Sequence, residues 1–324
     1  MITLLAGERQ FAEHLRPVWE ALPEEIRGEL VIGDDVWTPR RLGAVLVASH
    51  ADLRAARESG ANRIAYIEHG AGQSYGGEPH RERYGNKWCP HCHPSYSGGA
   101  DHEDVSLFLV PGPHPAARWR AAYPAARVEI VGCPKLDTLP RNWVDEPVVA
   151  LSFHFNAGIG SPEADSLFRF YRRRIPELAR RYRLIGHAHP RWANRVRPWF
   201  ERAHVPFVDR FEDVCRQARI YVCDNSSTLF EFPMATGRPV VVMNGPLYRR
   251  GVDHGLRFWS AAHVGPNVTA ATITEGIDRA LEDPQDLKMA RVDALKQVYG
   301  HWNRGAERAA AALTDWATDQ ALVA

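Results

Sequence analysis

Apolar residues along the first 140 positions gather in short β-branched or Leu-rich runs: Ile2 to Leu5, Leu30 to Ile32, Ala44 to Ala48, Ile64 to Ile67, Val105 to Val110 and Val128 to Val131. Continuous runs of this kind belong to strands covered on both faces, as in a parallel sheet. Between them, Gln10 to Leu22 and Ala51 to Ser59 repeat apolar residues at helical spacing. The rhythm is βαβ and predicts a doubly wound α/β domain. A second series follows the Pro- and Trp-containing stretch Leu139 to Pro147, with strands expected at Val148 to Phe153, Tyr182 to Ile185, Ile220 to Cys223 and Val240 to Met243. The expected architecture is two Rossmann-like halves, 1–144 and 145–300, facing a cleft at the carboxyl ends of their strands, and a helical tail at 301–324.

One segment breaks the rhythm. Residues 70–104 are rich in Gly, Pro, Ser, His and Tyr without periodicity, and a stretch that long inside a compact domain predicts a functional loop or lid. It carries Cys89-Pro90-His91-Cys92-His93, with His80, His102 and His114 near in sequence. C-x-x-C is half of a zinc set, but no second C-x-x-C exists, so a free thiol pair is preferred to zinc at Cys89 and Cys92.

Composition narrows the classes. The 324 residues carry 40 Lys+Arg against 39 Asp+Glu, a net charge of +1, which removes the overall field of a dedicated nucleic-acid or membrane-surface binder. An anionic partner must be recognised locally. No apolar run reaches the length of a transmembrane helix, and the opening MITLLAGERQ reads as a first strand rather than a signal peptide. Five scattered cysteines fit a reducing compartment, so the expected location is the cytoplasm. The 36 Arg against 4 Lys point to a high-GC genome rather than to a ligand.

Three strand ends carry candidate chemistry. After Ile64 to Ile67 comes Glu68-His69-Gly70-Ala71-Gly72, which puts an imidazole at a strand's carboxyl end beside glycines that let a substrate approach. His69 is a candidate general base; a His satisfied inside a turn is the alternative. The run Leu184 to Arg191 places His187 and His189 two residues apart, with Pro190 ending the strand and Arg191 following, a set suited to phosphate. The third, Ile220 to Glu231, ends a buried strand in Asp224-Asn225-Ser226-Ser227 where a helix should begin. Helix N-termini collect unpaired N–H groups and bind phosphates, which makes Ser226 and Ser227 candidate diphosphate ligands and puts Glu231 within reach of ribose hydroxyls. Pro233 predicts a kinked or short helix.

In order along the chain, IEHGAG, VGCPKLD, GHAHP, CDNSSTLFEF, GRPVVVMN and PLYRRGVDHGLRFW with VGPNV resemble the CDP-glycerol glycerophosphotransferase family of the GT-B superfamily. The resemblance implies a catalytic base at His69. It matches a domain-closing G-x-P-[RK]-x-D element to Gly132, Pro134, Lys135 and Asp137, and donor-phosphate ligands to His189, Pro190, Asp224, Ser226 and Ser227. An aromatic stretch at Phe258 to Pro266 has its counterpart too. The expected activity is metal-independent transfer of a glycerophosphoryl or glycosyl group from a nucleoside-diphosphate donor, bound as substrate with no cofactor, to an acceptor hydroxyl on a glycan, lipid, protein or modified nucleic acid. A UDP-sugar epimerase and a non-catalytic nucleotide-binding homologue are the alternatives from other classes.

Overall fold

The computed structural model describes residues 1–70, 102–142, 144–156, 165–248 and 263–319. The described chain forms two compact units: 1–70, 102–138 and 296–319 make the first, and the second comprises the described residues of 139–295.

The first unit is built on a six-stranded parallel sheet of order β2-β1-β3-β4-β5-β6. The strands are β1 (Ile2–Ala6), β2 (Arg27–Ile32), β3 (Ala44–Val47), β4 (Arg63–Ile67), β5 (Val105–Val110) and β6 (Arg127–Ile130). Side chains alternate between two cores, as the pleat requires. Leu4, Leu46, Ala65, Leu107 and Leu109 pack on one face with Leu15 and Val18 of helix α1 (Arg9–Ala21). Val45, Val47, Ile64, Tyr66 and Phe108 pack on the other against α2 (His50–Glu58) and α3 (Pro113–Ala122).

The second unit has a five-stranded parallel sheet, β11-β10-β9-β7-β8, from β7 (Val149–Phe153), β8 (Leu184–Ala188), β9 (Ile220–Cys223), β10 (Val240–Met243) and β11 (Asn267–Val268). Helices α4 (Phe168–Tyr171), α5 (Ile175–Arg181), α6 (Ala193–Arg202), α7 (Phe211–Gln217) and α8 (Thr228–Thr236) fall between its strands, and α9 (Ile273–Glu282) follows β11. Helix α10 (Gln285–Val298) carries the chain back to the first unit, where α11 (Gly305–Thr318) ends the described residues.

Two placements were not legible as such in the sequence. Strand β8 begins at Leu184, not Tyr182, and continues through His187 to Ala188. Gly186 permits this: a Cβ there would lie 2.5 Å from the Phe200 ring of α6, so only a glycine lets α6 seat on the strand. The terminal helix is an integral core element of the first unit. Trp316 is wholly buried between sheet and helix, and its indole donates to Ser106 Oγ at 2.9 Å.

The G-x-P-K-x-D segment explains how that helix is held. Gly132 sits at φ +84, a left-handed conformation that favours glycine. Asp137 then accepts the N–H of Ala306 at 2.8 Å in the first turn of α11, where Arg304 gives no side-chain cap of its own. Lys135 pairs with Glu13 of α1 at 3.4 Å. The segment thus clasps α1 and α11 to the sheet.

Candidate functional site

In the second unit β7 leads to β8 on one side, and β9 returns to the other side of β7. This reversal makes the carboxyl ends of β7 and β9 a topological switch point, the position where open α/β sheets leave a crevice for ligands. His154 and Phe155 follow β7, His189, Pro190 and Arg191 follow β8, and Asp224 to Ser227 follow β9.

Phe155 is the centre of a group of two imidazoles and a guanidinium. Its ring lies 4.5 Å from that of His189, the Arg191 guanidinium stands 5.0 Å over it, and the His154 and His189 rings are 5.1 Å apart. A guanidinium over a ring face is attracted by the ring quadrupole. His189 and Arg191, expected from the sequence, are therefore brought together, and His154 and Phe155 join them unforeseen. The available signal was positional: both directly follow a buried strand at the switch point.

The head of α8 differs in detail from the expectation. Ser227 occupies the N-cap position, but its hydroxyl donates to Glu231 at 2.8 Å instead of capping the helix. Ser226 Oγ accepts the N–H of Thr228 at 3.3 Å, and the N–H groups of Leu229, Phe230 and Glu231 bond to the carbonyls of Ser226 and Ser227. Among the described residues no hydrogen bond is assigned to the N–H groups of Ser226 and Ser227, and the Ser226 hydroxyl, which accepts from Thr228, keeps its own hydrogen to donate, whereas the Ser227 hydroxyl is committed to Glu231. The helix has nine residues despite Pro233, and ends at Gly237 with φ +71.

Three sequence candidates at these strand ends are buried. Asp224 is 0% exposed, and its carboxylate accepts the N–H of His154 at 2.8 Å, the N–H of Leu167 at 2.9 Å and the hydroxyl of Ser166 at 3.0 Å. Burial raises its carboxyl pKa while these donors pull it back. A carboxylate so engaged organises the loops around the site instead of touching phosphate. Glu231 is 1% exposed and accepts the Ser227 hydroxyl. His187 is 6% exposed within β8 and bonds Ser152 Oγ through Nδ1 at 2.7 Å. The extra length of β8 is the reason: it places His187 inside the strand, where its side chain packs against β7.

In the first unit His69 follows β4, with Gly70 at φ +100 after it. Its Nδ1 meets the carbonyl of Ala48, and Phe11 packs edge-on at 4.5 Å between centroids. A carbonyl only accepts, so Nδ1 carries the hydrogen and the lone pair of the neutral ring is at Nε2. His14 lies 6.3 Å away, and burial, then Lys135, holds its pKa well below the usual value, leaving it neutral. Asp52, at the head of α2, is 1% exposed and accepts the N–H of Gly7 at 2.9 Å. Burial pushes its carboxyl up to about 6, against the pull of Ser49 and Gly7. Glu68 is buried and takes the indole N–H of Trp119 at 3.3 Å.

Residues 71–101 of the loop expected at 70–104, with Cys89 and Cys92, and most of the aromatic stretch at 258–266 lie outside the described residues. His102 is described and buried among the rings of Tyr66, Phe108, Trp119 and Tyr123. Among the described residues no cluster of three or more His, Cys, Asp or Glu is arranged as a metal site. No helix among them is long and apolar enough to cross a membrane.

The wall teichoic acid polymerase TagF, in a crystal soaked with CDPG, matches with a TM-score of 0.64 at 11% identity over 97% of this chain and 87% of that one. The UDP-GlcNAc 2-epimerase of Neisseria meningitidis, bound to UDP-GlcNAc, matches at 0.58 and 14% identity over 98% and 100%. That of Methanocaldococcus jannaschii matches at 0.54 and 13% over 97% and 99%. The chain has the GT-B fold. Neither a protein-family profile nor a curated protein matches the sequence. At these identities the likeness establishes the fold and leaves the chemistry to the residues.

Proposed function

We propose that the chain is a GT-B transferase that takes a nucleoside-diphosphate-activated donor at the β7/β9 switch point and passes its group to an acceptor hydroxyl. One observation carries the reading: His154, His189 and Arg191 gather around Phe155 at the strand ends beside the head of α8. Imidazole, guanidinium and backbone N–H groups together suit a diphosphate, and in this reading they supply the positive charge without a metal.

His69 is the base. With Nδ1 engaged by Ala48, its Nε2 takes the proton of the acceptor hydroxyl as the oxygen attacks. For a CDP-glycerol donor a new P–O bond forms at the β-phosphorus, the diphosphate bridge breaks and CMP departs. For a UDP-sugar donor a new C–O bond forms at the anomeric carbon and UDP departs. We favour the first, on the ordered motifs at His69, Gly132 to Asp137, His189 and Asp224 to Ser227, and place the enzyme in the cytoplasm. The acceptor is a glycan, lipid, protein or modified nucleic acid bearing a free hydroxyl.

Thermal unfolding with added ligands tests the donor site. CDP or UDP should raise the melting temperature well above the matching nucleoside at equal concentration, because a ligand that binds only the native state stabilises it by mass action. Preference for CDP supports glycerophosphoryl transfer, preference for UDP supports the sugar donor, and indifference of the folded protein to every nucleoside diphosphate overturns the proposal. Turnover of a UDP-sugar without an acceptor would instead mark an epimerase.

A further inference from the structure

We propose that the second unit docks on an anionic lipid surface through a stripe of alternating tryptophan and arginine side chains along α6. None of these residues belongs to the donor site, so the docking role stands or falls apart from the donor reading.

Helical spacing makes the stripe. Trp192, Arg195, Trp199 and Arg202 follow one another at intervals of three or four residues, so they lie along one side of α6 and of the turn that leads into it. The side chains stack as that spacing allows: the Arg195 guanidinium stands 5.0 Å over the Trp192 ring, and that of Arg202 stands 4.6 Å over Trp199. Phe168 of α4 meets both indoles edge-on, with centroids 6.4 and 5.9 Å away, and ties them to the core of the unit. Arg172, in the turn after α4, sets a third guanidinium 4.6 Å over Trp199. Arg195 and Arg202 are exposed, and both tryptophans are half-buried.

This charge is not balanced by acids. Among the described residues Arg172, Arg195 and Arg202 meet rings and, for Arg202, the carbonyl of Pro198 at 2.9 Å, but no carboxylate. The exposed Arg173, next to Arg172 in the chain, has no carboxylate partner among them either. Neighbouring arginines behave otherwise: Arg174 pairs with Glu177, Arg197 with Asp209 and Arg216 with Asp213. Glu201, the acidic residue of α6, stands four positions from Arg197 and off the stripe.

Indoles and guanidiniums at one level are the side chains of a membrane interface, where the indole lies among the headgroups and the guanidinium takes a phosphate. A single helix edge, about 15 Å long for ten residues, suits a planar surface. Nucleic acid is less well served. The guanidiniums occupy indole faces on which a nucleobase would stack, and a net charge of +1 gives no long-range field to gather a polyanion. The docking is peripheral, since no helix among the described residues is long and apolar enough to cross a membrane.

Sedimentation of the whole chain with lipid vesicles tests the proposal. Mixed phosphatidylcholine and phosphatidylglycerol vesicles should bind the protein at 0.1 M salt; phosphatidylcholine alone, or the mixed vesicles at 1 M salt, should bind it at least about tenfold less. An arginine near an anionic surface strengthens partitioning about fivefold, so replacing both exposed arginines, Arg195→Gln with Arg202→Gln, should weaken it roughly 30-fold. Arg54→Gln with Arg216→Gln removes two exposed arginines that are paired with carboxylates, and should weaken it less than about threefold. Lipids brominated on the acyl chain should quench tryptophan fluorescence in the wild type, and Trp192→Phe with Trp199→Phe should lose most of that quenching. Failure of the wild type to bind mixed vesicles overturns the proposal, and so does an equal loss in the two arginine pairs. Binding of a single-stranded oligonucleotide without binding of vesicles assigns the stripe to nucleic acid and overturns it too. If the Arg195 and Arg202 double variant does not fold, Arg202→Gln alone decides: about fivefold weaker partitioning supports docking, and unchanged partitioning overturns it.

Discussion

The carboxyl edges of the two sheets are built alike and charged differently. Each belongs to a doubly wound parallel sheet with a switch point, β1/β3 in the first unit and β7/β9 in the second. The second edge gathers two imidazoles and a guanidinium around Phe155. The first gathers a neutral buried His14, a His69 whose Nδ1 is engaged, and the buried carboxyls of Asp52 and Glu68. In the proposed reading the second edge takes the polyanionic donor and the first supplies the base, so that topology gives the place and the side chains the chemistry.

Substituting His69 cuts deepest into this division. His69→Ala should lower transfer by roughly 100- to 10,000-fold while CDP or UDP binding stays within a few-fold, because a general base acts on the acceptor and does not hold the donor. Steady-state rates beside calorimetric affinities check it, and an equal loss of nucleotide affinity would assign His69 to the donor.

Asp224 separates organising a site from occupying it. Asp224→Ala strands two buried donors, the N–H of Leu167 and the Ser166 hydroxyl, and the half-buried N–H of His154, and should destabilise the protein by about 4 kcal/mol in denaturant unfolding. Asp224→Asn retains one acceptor oxygen and should cost roughly half. A change within about 0.5 kcal/mol for the alanine variant would show that the hub does not hold these loops.

Asp52 gives the smallest effect and a sign that can fail. Its folded pKa is raised from 3.8 to about 6, so the native state holds this proton more tightly than the unfolded chain. Its contribution favours folding at low pH and is lost as pH rises from about 4 to about 6, at a cost of up to about 3 kcal/mol. Asp52→Asn retains an acceptor for Gly7 and should remove that part of the pH dependence. Difference unfolding curves for wild type and variant at pH 4 and pH 7 measure it, and equal differences at both would refute it.

Much of this fold was legible because buried parallel strands are continuous apolar runs: Val105–Val110, Ile220–Cys223 and Val240–Met243 stand where the pattern puts them. The strand ends were legible too, since a buried strand must stop at polar or turn residues, and this brought His69, His189, Arg191 and the serines into view. Side-chain roles were not. A strand end that shifts by two or three residues moves a side chain from the mouth to the interior, which is how His187 came to bond Ser152.

The sequence by itself determined the class of fold, the strand order along the chain and the neighbourhood of each strand end, because these follow from local periodicity and turn chemistry. Only the tertiary structure decided which neighbours meet. It set His154 beside His189 across β7 and β8, turned Asp224 onto loops about 60 to 70 residues away in sequence, and carried the terminal helix back to Asp137. Hydrogen bonds between residues so far apart leave no periodic trace, since each depends on a pairing that exists only once the sheet of its own unit has formed.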